Sequence, residues 1–162
     1  KYYLKSTISL QNKIVDNWGN QVTTHNKLDL NKLAQIVFSD KENQQIINQL
    51  LWPKVYVLMG QAAKAAKANK AKIFVVDAAM LFESEYSKYF DSILLVTASK
   101  SIRKKRILLR NNIPENQIEK RMALQMPESK KKKLAHAIIE NNGNLSELHE
   151  KLGVFWKSLN VG

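Results

Sequence analysis

A chain of 162 residues is one domain's worth, long enough for a real core and too short for two full α/β domains. It has no cysteine, which excludes a disulfide framework and a thiolate metal site and fits a reducing compartment. Its apolar runs are too short to span a bilayer and no basic leader is evident, so no membrane partner is expected. Lys and Arg outnumber Asp and Glu by 26 to 14, a net charge of +12. That balance favours a polyanionic partner: nucleic acid, a membrane surface, or a ligand with several phosphates. Much of the excess lies between Lys100 and Lys133, whereas the scattered lysines before position 70 read as ordinary solvated faces.

In chain order, residues 1–15 read as the tail of a helix already under way, and the start at Lys1 rather than Met suggests a fragment. Gly19 marks a turn, with a polar connection over 17–27. A broad apolar stripe predicts a helix over 28–38. Ser39 or Asp40 caps a second helix through Leu51, which Pro53 breaks or re-aims before an Ala-rich helix resumes over 55–69. Ile73-Phe-Val-Val-Asp77 is a continuous apolar run ending in an acid, expected to be a strand buried on both faces. A short helix or loop reaches Phe90, and 92–97 (Ser-Ile-Leu-Leu-Val-Thr) is a second buried strand. Helices are expected from Ser101 to Arg110, Pro114 to Leu124 and Glu128 to Ala135. Ala137–Glu140 is a third strand, and Leu145–Leu159 closes the chain as an amphipathic helix. Strands separated by helices imply an α/β fold: a three-layer parallel sheet with flanking helices. Within one domain, this divides the chain into a helical region (1–70), core strands (73–100), an arginine-rich helical segment (101–133) and a terminal strand and helix (134–162).

An acid at the C-terminal end of a buried parallel strand stands where α/β folds place ligands. Asp77 is therefore either a ligand-side group or a helix cap. Arg106 and Arg110, spaced i, i+4, share a helix face. With Arg121 on the next helix they make either a phosphate clamp, for which arginine has the right fork geometry, or a solvated hairpin. A nucleic-acid reading is open but unsupported, because no aromatics interleave with the arginines. The Lys130–Lys133 run is a weak signal. Asn141 to Gly143, after an apolar strand, either borders an adenine ring or is a plain turn capped by Asn144 or Ser146. His25, His136 and His149 lack metal-ligand spacing. The five glycines, at 19, 60, 143, 153 and 162, supply no G-x-x-x-x-G-K-[ST] phosphate loop.

In this order the pieces resemble the dephospho-CoA kinase family, P-loop kinases of the nucleoside-monophosphate-kinase type, over nearly the whole chain. The similar stretches are 15–19, 28–40, Leu51-Trp52-Pro53, 76–83, Arg106 with Arg110, Arg121 with Gln125 to Pro127, and 135–143. The resemblance implies a P-loop kinase fold with a helical lid over 101–133. It implies ATP-dependent phosphorylation of the ribose 3′-hydroxyl of dephospho-CoA, the last step of coenzyme A synthesis, in the cytoplasm. ATP with Mg²⁺ and dephospho-CoA are the implied small-molecule partners. Arg106, Arg110, Asn141 and Gly143 would serve ATP. Asp77, Leu81, Phe82 and Glu83 would line the acceptor side, with Asp77 also near the metal shell.

Several positions depart from the family pattern. Leu30 stands for a usual arginine, Trp52 for histidine, Ala79 for proline and His136 for aspartate. The phosphate loop and the aspartate expected as base on the ribose hydroxyl would lie before Lys1, in a strand–loop–helix unit of roughly 30 or more residues. The chain by itself is thus expected to be inactive. A non-catalytic nucleotide- or CoA-binding paralogue and a basic nucleic-acid-binding protein are the alternatives.

Overall fold

A computed structural model describes residues 4, 6–110 and 114–159. The expected polar turn between the two arginine-bearing helices, 111–113, lies outside the described residues. The chain divides into two compact units, 1–65 and 66–162.

The first unit is helical. Helix α1 (Ile8–Trp18) ends at Gly19, whose φ of 60° suits a residue without a Cβ. A 3₁₀ turn and a two-residue-strand hairpin follow, β1 (Thr23–Thr24) antiparallel to β2 (Lys27–Leu28). His25 and Asn26 turn the hairpin with φ of 48° and 57°. Positive φ at both central residues is what a tight, right-twisted hairpin requires. The polar connection expected over 17–27 therefore carries structure of its own. Helix α2 (Leu30–Val37) is shorter than its apolar stripe because Asp29 caps it, accepting from the amides of Asn31 and Lys32.

Helix α3 (Lys41–Ala68) runs through Pro53 without interruption, so of the two expectations, a break or a re-aimed helix, the break does not occur. Proline removes one hydrogen bond and crowds the preceding turn. Here Leu50 and Leu51 before it pack on the core, and an Ala-rich run follows from Ala62. Leu10, Ile14, Val22, Leu33, Val37 and Ile47 form that core. The indole of Trp18 donates to Asn43 Oδ1 at 2.6 Å and ties α1 to α3.

The second unit contains a parallel sheet of two strands. Strand β3 (Leu94–Thr97) pairs with β4 (Ala137–Glu140) in the register Leu94 to Ala137 through Thr97 to Glu140. Between them run α4 (Lys100–Arg110), α5 (Glu115–Leu124) and α6 (Glu128–Leu134), and α7 (Leu145–Ser158) closes the chain. Asn144, not Ser146, caps α7, in a reciprocal capping box with Glu147.

The expected strand over 73–77 is not one. This segment pairs with no strand among the described residues. Phe74 and Val75 are 40% and 73% exposed, against the expectation of burial on both faces. Its composition suits a strand, but a strand also needs a hydrogen-bonded neighbour.

The two cap aspartates give the first unit a pH dependence. Asp29 is held below the ordinary carboxyl range first by the Thr24 hydroxyl, then by the Lys32 and Asn31 amides. Asp40, which caps α3, is lowered first by the Asn43 amide and then by the Ser39 hydroxyl. Groups whose pKa falls on folding stabilise the fold above their unfolded pKa, and that stability is lost as pH drops through the folded value. The melting temperature should therefore fall between about pH 5 and about pH 3. The fall should be shallower in Asp29→Asn and Asp40→Asn variants, read by circular dichroism.

Candidate functional site

The C-terminal edge of the β3–β4 pair is where Arg106, Asn141 and Gly143 meet. Parallel pairing brings Thr97 beside Glu140, so the 98–99 segment and the 141–143 turn leave the sheet together. The Asn141 amide donates to the Thr97 carbonyl at 2.7 Å. The Ser99 amide donates to Asn142 Oδ1 at 2.8 Å. Ser99 Oγ then accepts from the Ile102 amide at the start of α4.

Arg106, one turn from the end of α4, spans this edge. Its Nη1 donates to the Asn141 carbonyl at 2.8 Å and its Nη2 to the Gly143 carbonyl at 3.0 Å. Three of the four residues expected on the ATP side are therefore in direct contact. Arg110 lies four residues on along the same helix and is exposed. Two guanidinium N–H groups of Arg106 hold the turn. The guanidinium has five in all.

Around this edge the positive helices are laced by acids. Arg103 pairs with Glu128 at 2.7 Å. Lys104 pairs with Glu115 and with Glu119, and these contacts, Glu115 first, raise its pKa. Lys132 pairs with Glu140 at 2.8 Å, lowering the glutamate and raising the lysine. The Lys151 ammonium donates to the Glu140 carbonyl. Four of the twelve basic residues from Lys100 to Lys133, namely Arg103, Lys104, Lys131 and Lys132, thus hold acids within the fold.

Residues 77–83, expected on the acceptor side, form an irregular loop of the second unit. Asp77 is exposed and makes no hydrogen bond or ion pair among the described residues. Leu81 is half-buried and Phe82 buried. Glu83 points inward: its Oε1 accepts from the Met126 amide at 2.8 Å and pairs with Lys131 Nζ at 2.8 Å. Lys131 Nζ also reaches the Ala79 carbonyl at 3.3 Å. The sequence offered only a lysine run here, and burial is what singles out Lys131. No group of three or more His, Cys, Asp or Glu among the described residues could hold a metal ion.

Two departures have a local account. His136 Nδ1 accepts the Ile93 amide at 2.9 Å, an acceptor's job that a carboxylate also does. Ala79 is used through its carbonyl, which proline likewise has. In the first unit, Leu30 lines a shallow groove of about 490 Å³ with Gln11, Thr24, Lys27, Leu28 and Asp29. No helix among the described residues is long and apolar enough to cross a membrane.

Removing the guanidinium should loosen the edge specifically. In Arg106→Ala the amide of Asn141 is expected to exchange about tenfold faster, with β3–β4 exchange little changed, as read by hydrogen-exchange NMR. Arg106→Lys should not restore it, because one ammonium lacks the two-pronged fork that meets both carbonyls.

A family model described as dephospho-CoA kinase matches residues 4–147. A dephospho-CoA kinase of Fusobacterium nucleatum is 34% identical over 152 residues, 93% of this chain and 77% of the relative. One from Arabidopsis thaliana is 35% identical over 127 residues, 77% of this chain and 54% of the relative. Among solved structures, one from Thermus thermophilus superposes with a TM-score of 0.64 at 24% identity, covering 94% of this chain and 82% of its own. A dephospho-CoA kinase from Campylobacter jejuni gives 0.59 at 24% identity, covering 98% and 79%. These two likenesses establish a shared P-loop kinase fold.

Proposed function

The chain belongs to the dephospho-CoA kinase family of phosphotransferases, and from that premise we propose that it carries the lid, adenine-side and acceptor-side parts of a cytoplasmic kinase that phosphorylates the 3′-hydroxyl of dephospho-CoA with ATP. The observation that carries the reading is the Arg106 fork on the Asn141–Gly143 turn, at the C-terminal edge of a parallel sheet. Ligands of open α/β sheets sit at that edge.

In this reading the 141–143 turn borders the adenine with backbone groups. Arg110, with the remaining N–H groups of Arg106, faces the phosphates. Arginine at that place positions the polyphosphate and neutralises charge that builds up during transfer, the main protein contribution in phosphoryl-transfer enzymes. Helices α4 and α5 act as the lid that excludes water. Asp77 faces the acceptor, with Leu81 and Phe82 shaping its apolar side. Mg²⁺ would come held by the ATP phosphates, as is usual for that ion, with a carboxylate such as Asp77 outside its hydration shell.

The 162 residues contain no Gly-rich phosphate loop, so ligand capture is assigned to this chain and transfer to the kinase as a whole. Calorimetric titration should show binding of dephospho-CoA and, separately, of ATP, with no CoA formed when both are mixed. Arg110→Ala should weaken ATP about tenfold and leave dephospho-CoA unchanged. Binding of neither ligand, together with RNA binding that weakens steeply with salt, would replace this reading with the nucleic-acid one.

A further inference from the structure

Of the four consecutive lysines from Lys130 to Lys133, one is unlike the rest. Lys131 is buried, its side chain only 11% exposed, and Glu83 beside it is 12% exposed. Buried lysine is uncommon without a partner, because its desolvation must be offset by pairing and hydrogen bonds. Lys131 has both. Its ammonium sits 2.8 Å from Glu83 Oε1 and 3.3 Å from the Ala79 carbonyl, so one group grips both ends of the 79–83 loop. The same Glu83 oxygen accepts the Met126 amide at 2.8 Å, just before α6 begins. Within the loop, Ser84 Oγ donates to the Leu81 carbonyl and the Ser84 amide to the Met80 carbonyl.

We infer that Lys131 is a positioning residue: through Glu83 it fixes the 79–83 loop, and with it Leu81 and Phe82, in the form that recognises the acceptor. Residues 43 and 52 apart in sequence meet at this one ammonium–carboxylate pair. It is the link between the loop and the C-terminal end of the arginine-bearing segment. The inference rests on the acceptor-side assignment proposed above.

The test uses Lys131→Met and, because a lone buried carboxylate destabilises the fold, the double variant Glu83→Gln/Lys131→Met. The double variant removes both charges at near-constant volume. The readouts are calorimetric affinities for dephospho-CoA and for ATP, and amide exchange at Ser84 and Met126. Expected for the double variant are a loss of about tenfold or more in dephospho-CoA affinity, ATP affinity within twofold, and faster exchange at both amides. Unchanged dephospho-CoA affinity, or equal loss of both ligands, would overturn the positioning role. If the unsubstituted chain binds no dephospho-CoA, the functional reading fails instead. The exchange rates then decide the remaining claim: faster exchange keeps Lys131 as the loop's organiser, and unchanged exchange removes it.

Discussion

The parallel pairing of β3 with β4 is the constraint on which the second unit depends. Two four-residue strands bring together residues more than forty positions apart, and the register places Thr97 beside Glu140. The contacts at this sheet edge follow from that register. The Asn141 amide reaches back to Thr97, Asn142 reaches the Ser99 amide, and α4 begins where Arg106 can span the turn. A slip of one residue would turn the alternating side chains over and move the turn off the arginine.

Part of the positive charge is used inside the second unit. The net +12 suggests a polyanion-binding surface, yet Arg103, Lys104, Lys131 and Lys132 each hold an acid of the same unit. Exposed pairs of this kind contribute little stability each. Their effect is to join α4 to α5 and α6, and α6 to the end of β4. The buried pair, Lys131 with Glu83, differs in kind, since it is shielded from water and grips backbone as well as side chain.

Much of this was legible in sequence. The helices from α4 to α7 and strand β4 were marked by apolar periodicity, prolines and caps, and the Arg106 and Asn141–Gly143 motifs proved to be neighbours. Other features were not legible. Pro53 was expected to break or re-aim its helix and does not break it, because the local cost of proline is visible in sequence while the packing on its N-terminal side is not. Residues 73–77 have a strand's composition, but pairing depends on a second segment and cannot be read from one. Lys131 was hidden in a lysine run, since burial of one member depends on tertiary packing. Glu83 was marked as a functional residue by resemblance, while its inward direction was visible only in three dimensions.

The most direct measurement is a pair of ligand titrations followed by amide chemical shifts on the isotope-labelled chain. ATP should move the resonances of Ser99, Asn141 to Gly143 and the Arg106 side chain, and dephospho-CoA should move those from Asp77 to Glu83. Shifts confined for both ligands to the exposed lysines Lys130 and Lys133, with these two groups unmoved, would contradict the assignment of the sheet edge and the 77–83 segment as the two faces of a kinase site.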